Sequence, residues 1–218
     1  MCGIAGFIGQ ERIEAGRIHA CRKLMQRRGP DFSDFFHHHP DDATHVYLIH
    51  SRLSIIDLEE RANQPFHQGD LALVFNGEIY NYRELRASLQ ARGHRFTTMS
   101  DTEVLITMLA TRGWQGLDAC EGMWAFACYN KRTQELIVSR DRFGEKPLYL
   151  YRDKAGLYFG SEIKFIKALV DKKLEPDFDQ MYRFLVNGYK TIYKSGRNFY
   201  QGIAEVKSGH VLQLTANG

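Results

Sequence analysis

Residues 1–9 read MCGIAGFIG, and this apolar, glycine-rich stretch decides how the rest of the chain must fold. Residues 3–8 carry no charge, which predicts a buried β-strand whose glycines lie where another backbone approaches closely. Such a strand would hold the N-terminus rigidly inside the protein. The same pattern also fits an ordinary core strand whose second residue happens to be a cysteine.

Cys2 gains a second reactive group if the initiator Met1 is removed, because residue 2 then carries a thiol and a free α-amine. The usual pKa values are ~8.5 for a thiol and ~7.7–8.0 for an α-amine, so the amine can accept the thiol proton near neutral pH. The resulting thiolate can attack a carbonyl carbon. Cys2 is therefore a candidate nucleophile that carries its own base.

The composition is that of an ordinary globular protein, with 218 residues, 44% hydrophobic and 25% charged residues, and a net charge of +3. The small charge gives no reason to expect a nucleic-acid partner. The chain lacks a signal peptide and an apolar run of ~18 residues, so no membrane association is expected. These observations make a cytoplasmic location the default expectation.

Two groups of potential metal ligands are expected to be inert. The cysteines Cys21, Cys120 and Cys128 form no C-x-x-C pair and are interpreted as buried, reduced thiols. The run at residues 37–39 is three histidines, and neighbours on a strand point to opposite faces, so all three cannot bind one ion. We interpret this run as an exposed loop and expect no metal site.

Several polar residues stand at the predicted ends of strands and helices. Arg52 follows a strand at residues 46–50, where its guanidinium can hold a carboxylate through two parallel hydrogen bonds or form a surface ion pair. Asn76 and Gly77 follow a strand at 71–75, where they form a strand-to-helix turn or an oxyanion hole. Asp101 opens a helix, where it favours the helix dipole or receives a ligand ammonium.

The remaining pattern alternates antiparallel strands with blocks of helix. Ser100 and Glu103 fit a capping box, and Asp177 is a plausible helix cap. Two stacked sheets covered by helices satisfy this order, which is an α+β fold. The further strands are predicted at residues 32–39, 123–129, 135–139, 148–152, 157–160 and 210–214, and the helices at 11–27, 82–92, 101–111, 162–170 and 177–186.

Six motifs in one order resemble the glutaminase domain of class II glutamine amidotransferases, and most closely the asparagine synthetase (glutamine-hydrolysing) branch. They are MCGIAG from residue 1, RGPD from 28, HSRLSI from 50, FNGEIYN from 75, SDTE from 100 and RDRFGEKPLY from 140. Each motif alone is weak, but six in order span about 150 residues. The resemblance implies the N-terminal-nucleophile (Ntn) hydrolase fold, a four-layer α-β-β-α sandwich, with residues 1–218 as a single glutaminase domain.

The resemblance also implies a role for each candidate residue. Cys2 resembles the catalytic nucleophile, and Arg52 the group that binds the α-carboxylate of glutamine. Asn76 and Gly77 resemble the catalytic oxyanion hole. Glu78 and Asp101 resemble the groups that hold the α-ammonium. The implied reaction converts L-glutamine and water into L-glutamate and ammonia through a γ-glutamyl thioester.

The resemblance implies that the ammonia serves a C-terminal, ATP-dependent synthetase domain or subunit. Its Ser-Gly-Gly-x-Asp-Ser loop is not found in these residues, so that domain is expected to be absent from this chain. No cofactor is expected for glutamine hydrolysis, and ATP and Mg are expected only in the synthetase domain. The sequence leaves open the oligomeric state, a homodimer included.

Other interpretations of the chain differ in the acceptor or in the presence of catalysis. The nitrogen acceptor can be aspartate, a sugar or a peptide. A catalytically silent regulatory module would be expected to replace Cys2. An Ntn hydrolase acting on another amide would have less need of the charge set Arg52, Glu78 and Asp101, which suits a free amino acid.

Overall fold

The computed structural model describes residues 1–41, 43–189 and 197–215. The strands are β1 (Gly3–Gly9), β2 (Phe32–Asp41), β3 (Thr44–Arg52), β4 (Phe66–Gln68), β5 (Leu71–Ile79), β6 (Gly122–Asn130), β7 (Glu135–Arg140), β8 (Tyr149–Arg152), β9 (Gly156–Gly160), β10 (Ile203–Glu205) and β11 (Val211–Leu214). The α-helices are α1 (Ala15–Met25), α2 (Tyr82–Gln90), α3 (Asp101–Arg112), α4 (Ile163–Leu169) and α5 (Phe178–Asn187).

The described strands form two antiparallel sheets. One has the order β10-β8-β9-β1-β3-β2 and the other the order β11-β7-β6-β5-β4. The first strand, β1, is buried along its whole length and pairs with β3 on one side and β9 on the other. A Cβ atom on Gly6 would lie 2.2 Å from the Tyr47 carbonyl oxygen, so glycine is required there. The predicted buried N-terminal strand is confirmed.

Side-chain alternation along β1 and its neighbours builds two separate cores. Ile4 and Ile8 point between the sheets, where they pack with Val74 and Ala127 of the other sheet. Phe7 points the opposite way and packs with buried residues of α1 and α4. Buried residues of α3 pack against the outer face of the second sheet. Helices therefore cover both outer faces, and the predicted four-layer α-β-β-α arrangement is confirmed.

Two local predictions are wrong. The segment Asn76-Gly77-Glu78 is not a strand-to-helix turn, since β5 continues through it to Ile79. Gly77 is explained by packing instead, because a Cβ there would lie 2.2 Å from the Met123 carbonyl oxygen of β6. The histidine run is not an exposed loop but lies within β2, in agreement with the strand predicted at residues 32–39, and His37 stacks on Tyr47 at 4.2 Å between ring centroids.

Two further expectations, on the remaining cysteines and on the cap of α5, agree with the described residues. Cys21, Cys120 and Cys128 are buried free thiols. The Asp177 carboxylate caps α5 by accepting a hydrogen bond from Gln180 N–H at 3.0 Å. Across the described ranges, no helix has the length and apolar character needed to cross a membrane. In the same ranges, no cluster of three or more potential ligands is arranged to hold a metal ion.

Candidate active site

The six candidate residues come from four separate parts of the sequence and line one cavity of about 140 Å³. Cys2 lies just before β1, Arg52 ends β3 and Asp101 begins α3. Because β1 and β3 run antiparallel, the start of one lies beside the end of the other, with Gly3 opposite Ser51. The cavity thus forms where both sheets and α3 meet. Its predicted members are Cys2, Arg52, Asn76, Gly77, Glu78 and Asp101.

The Cys2 thiol is held against the segment that leaves β3. Its sulfur lies 3.4 Å from Leu53 N, which donates to it, and 3.6 Å from the Leu53 carbonyl oxygen. The Cys2 carbonyl accepts a hydrogen bond of 2.8 Å from Arg28 Nε, and Arg28 in turn pairs with Glu162 at 3.1 Å. Burial raises the pKa of the Cys2 thiol above its ordinary value. Deprotonation at neutral pH therefore needs a base nearby.

Asn76 and Gly77 present two donors to the cavity. The Asn76 side chain is 1% exposed, and its amide nitrogen has no hydrogen-bond partner among the described residues. On the same strand, Phe75 N–H donates to the Gln64 side chain and Ile79 N–H to the Asp101 carboxylate. Alternate residues of a strand turn their N–H groups to the same side, so Gly77 N–H points to that side too. Asn76 and Gly77 line the same cavity as Cys2.

Arg52 is buried in the cavity wall, and both of its terminal nitrogens donate hydrogen bonds to other residues of the protein. Nη1 donates to the Glu59 carbonyl at 3.1 Å and to Asn63 Oδ1 at 2.7 Å. Nη2 donates to the carbonyl oxygens of Ile56 and Asp57. The four terminal N–H groups thus hold the loop after β3, whereas Nε–H makes no hydrogen bond to any described residue. A contact through both terminal nitrogens would require this loop to release them.

Asp101 supplies a negative charge from the first turn of α3. Its carboxylate accepts a hydrogen bond of 3.0 Å from Ile79 N–H. Burial raises the pKa of Asp101 to about 6, and the nearby Glu78 charge acts in the same direction. Asp101 and Glu78 both line the cavity, and the charge on Asp101 is sensitive to mild acid.

The turn before α3 is only half a capping box. Ser100 Oγ accepts from Glu103 N–H at 3.2 Å, as predicted. The Glu103 carboxylate instead accepts from Thr97 N–H at 2.9 Å and Thr98 N–H at 2.7 Å. Glu103 thus stiffens the segment that leads into the cavity rather than closing the reciprocal cap.

Sequence reasoning did not assign several polar residues to the cavity, among them Gln64 and Lys146. Gln64 lies in the wall, where its side-chain oxygen accepts from Phe75 N–H at 2.6 Å. Lys146 is 6% exposed, and its Nζ lies 3.5 Å from the Met1 sulfur. Lys146 belongs to the RDRFGEKPLY motif, so its position in a motif could have indicated that it lies at the cavity. Gln64 lies in a polar stretch outside the six motifs, so the sequence did not indicate that it lines the cavity.

Comparison with known proteins gives the family of this chain. Residues 1–218 match the glutamine amidotransferase domain family. Asparagine synthetase [glutamine-hydrolyzing] 3 of Bacillus subtilis is 33% identical over 228 residues, which cover 100% of this chain and 35% of that protein. Amidase chry2 of Gibberella zeae is 33% identical over 237 residues, which cover 100% of this chain and 33% of that protein. The chain thus spans about a third of the length of these relatives.

Two solved structures share the fold. Glutamine phosphoribosylpyrophosphate amidotransferase from Bacillus subtilis, complexed with ADP and GMP, aligns with a TM-score of 0.63 and 23% identity over 77% of this chain and 43% of that one. An allosteric regulatory enzyme of purine biosynthesis aligns with a TM-score of 0.71 and 22% identity over 100% of this chain and 48% of that one. With the family match along its entire length, this chain belongs to the glutamine amidotransferase domain family.

Proposed function

We propose that this domain hydrolyses L-glutamine to L-glutamate and ammonia through a thioester on Cys2. The observation that carries the proposal is the Asn76 amide nitrogen, which is buried without a hydrogen-bond partner among the described residues, on a residue that lines the same cavity as Cys2. A buried donor without an acceptor costs free energy unless it serves a ligand or an intermediate. An oxyanion formed beside Cys2 would supply the missing acceptor.

Removal of Met1 is the first requirement of this mechanism. It exposes the Cys2 α-amine, and it also clears the Met1 side chain from the cavity wall. The amine takes the thiol proton, and the thiolate attacks the side-chain carbonyl carbon of glutamine. Since burial raises the pKa of the thiol, this transfer is needed at neutral pH. The carbonyl π electrons move onto oxygen and form a tetrahedral oxyanion.

The oxyanion accepts hydrogen bonds from the Asn76 amide and from Gly77 N–H. The protonated α-amine then donates its proton to the departing nitrogen, and the C–N bond breaks to release ammonia. This leaves a γ-glutamyl thioester on Cys2. A water molecule, deprotonated by the same amine, attacks the thioester carbonyl, and collapse of the second oxyanion breaks the C–S bond. Glutamate leaves, and the thiol regains its proton.

The charges around the cavity suit a free amino acid. Glutamine is a zwitterion at neutral pH, so its site needs a donor for the carboxylate and acceptors for the ammonium. Arg52 Nε–H fits the first need, and the carboxylates of Glu78 and Asp101 fit the second. This arrangement would orient the side-chain amide toward Cys2, and it favours free glutamine over a peptide or sugar amide.

We further propose that the ammonia is used to amidate aspartate by an ATP-dependent synthetase domain or subunit outside these residues. Relatives named asparagine synthetase support this acceptor, with 33% and 35% identity over 100% and 85% of this chain. ATP and Mg would act only there, and no cofactor is proposed for glutamine hydrolysis. A cytoplasmic location fits this activity.

Release of glutamate and ammonia from glutamine by the processed chain tests the hydrolysis directly. We expect the two products in equal amounts, without added ATP. Asparagine serves as a control substrate, because its side chain is one methylene shorter and its amide falls short of Cys2. Equal rates on glutamine and asparagine, or no release from either, would contradict the proposal.

Glutamine affinity is expected to fall in mild acid because Asp101 must be ionised to hold the ammonium. With a pKa of about 6, the ionised fraction of Asp101 falls about tenfold between pH 7 and pH 5. The glutamine Kd of the Cys2→Ala variant, measured by calorimetry, should rise by about the same factor. This variant excludes turnover and thiol titration from the measurement. With Asp101→Asn added, glutamine binding should be weak and its Kd should not change between pH 7 and pH 5. A Kd that stays constant over this range with Asp101 intact would contradict the role of Asp101 in holding the ammonium.

A further inference from the structure

His50 is a buried polar side chain with no part in the mechanism described so far. It lies in β3 and is 0% exposed. Its Nε2 lies 3.2 Å from the Phe75 carbonyl oxygen, while its Nδ1 has no hydrogen-bond partner among the described residues. A carbonyl oxygen can only accept, so the proton of the neutral ring is on Nε2. The ring thus makes one directed hydrogen bond and leaves its other nitrogen unsatisfied.

The hydrogen bond from His50 reaches β5 just beyond the point where its pairing with the edge strand β4 ends. Strand β4 pairs with β5 only from Phe66 opposite Leu73 to Gln68 opposite Leu71. Two residues farther on, Phe75 turns its N–H and C=O to the same edge, beyond the end of β4. Its N–H donates to Gln64 Oε1 at 2.6 Å, and its C=O accepts from His50. The side chains of Gln64 and His50 thus make the hydrogen bonds to Phe75 that a longer β4 would otherwise make.

The Phe75 carbonyl belongs to the peptide that leads into Asn76. Its oxygen and the Asn76 Cα lie in one peptide plane, so a bond that fixes the oxygen restricts the Asn76 backbone. The opposite edge of Asn76 is held by pairing with Ala125 of β6. The Asn76 side chain is therefore carried by a strand that is fixed on both edges.

The electrostatic surroundings keep the His50 ring neutral. Burial lowers the pKa of His50 to about 3, and the Arg52 charge on the same strand acts in the same direction. A neutral ring retains a single donor, so the Nε2–H bond to Phe75 persists throughout the neutral range of pH. The contact is constant rather than a pH-dependent switch.

We propose that His50 is a positioning residue for glutamine hydrolysis, which fixes the Phe75 carbonyl and thereby aims the Asn76 amide at the oxyanion. This inference rests on the proposed function, because it assigns His50 an effect through Asn76 alone. His50 touches neither substrate nor Cys2 in this account. Its loss should therefore slow the chemical steps and leave glutamine binding nearly unchanged.

Steady-state kinetics of His50 variants separate positioning from mere packing. His50→Leu fills the site without a donor, and we expect kcat to fall about tenfold with KM for glutamine within about twofold. His50→Gln places an amide near the original Nε2 and should restore kcat to within about threefold of the unmodified protein. His50→Asn, whose amide lies near the Nδ1 position, should resemble His50→Leu and offers a polar alternative if the leucine variant does not fold.

A double-mutant cycle with Asn76→Ala gives the decisive readout. If His50 acts through Asn76, His50→Leu should change kcat by less than about twofold once Asn76 is alanine. An equal tenfold loss in both backgrounds, or an unchanged kcat in the single variant, would overturn the positioning role. His38→Leu is the matched control, since it removes a contact of 3.3 Å to Tyr129 OH without touching β5, and its kcat should stay unchanged. An unmodified, processed chain that releases no glutamate would overturn the proposed function and this role together.

Discussion

Cys2→Ala is expected to lower the rate of glutamine hydrolysis by roughly 10⁴-fold or more, because removal of an attacking group abolishes the covalent route. The Cys2 sulfur lies at the cavity wall, where its hydrogen bonds are with the backbone of Leu53 rather than with the charged side chains that would hold glutamine. The alanine variant should therefore bind glutamine within about threefold of the unmodified affinity. Glutamate release and calorimetric binding measure the two effects separately.

Cys21→Ala is the matched control for this prediction. Cys21 is a buried thiol in α1, on the opposite side of β1 from the second sheet. Its loss should lower the thermal stability slightly and leave glutamine hydrolysis intact. Retained activity of Cys2→Ala above about one hundredth of the unmodified rate would contradict the assignment of Cys2 as nucleophile.

Asn76→Ala is expected to lower kcat by about 10²–10³-fold, which is the usual cost of losing one oxyanion donor. The fold should survive, because the Asn76 amide nitrogen makes no hydrogen bond within the described part of the chain and the backbone of Asn76 remains paired with Ala125. The KM for glutamine should change little, since the donor meets the oxyanion rather than the ground-state amide. Steady-state kinetics and thermal unfolding give these quantities.

Asn130→Ala provides a comparison in the same sheet. Asn130 ends β6, and its side chain accepts hydrogen bonds from Arg132 N–H at 2.9 Å and Thr133 N–H at 3.2 Å in the turn that follows. This variant should lose stability but keep kcat. A fall in kcat of less than tenfold for Asn76→Ala would contradict the assignment of Asn76 as an oxyanion donor.

The core of the fold was predictable because its signals are local. The uncharged run of β1 and its glycines predict a buried strand, and the packing of Phe7 toward helices and of Ile8 toward the second sheet follows from strand alternation. Asn76-Gly77 misled the prediction, because the same dipeptide favours a tight turn. Gly77 is instead required by the approach of Met123 on β6, which is a contact between distant segments.

The members of the candidate site were predictable, but their connections were not. The ordered motifs identify Arg52 and Asp101 as site residues. The sequence does not indicate that the terminal nitrogens of Arg52 hold the loop after β3. The contact of His50 with Phe75 likewise joins two sheets across 25 residues of sequence. Such contacts depend on where β4 ends, and a three-residue strand leaves almost no pattern.

The most direct test of the account is the intact mass of the protein before and after incubation with a diazoketone analogue of glutamine. The account predicts a starting mass that lacks Met1 and a single added adduct, which peptide mapping places on Cys2 and which Cys2→Ala does not form. Excess glutamine should slow the labelling, because both compounds would occupy the same cavity. A processed chain that gains no adduct, or an equal adduct on Cys2→Ala, would contradict a terminal cysteine nucleophile in a glutamine site.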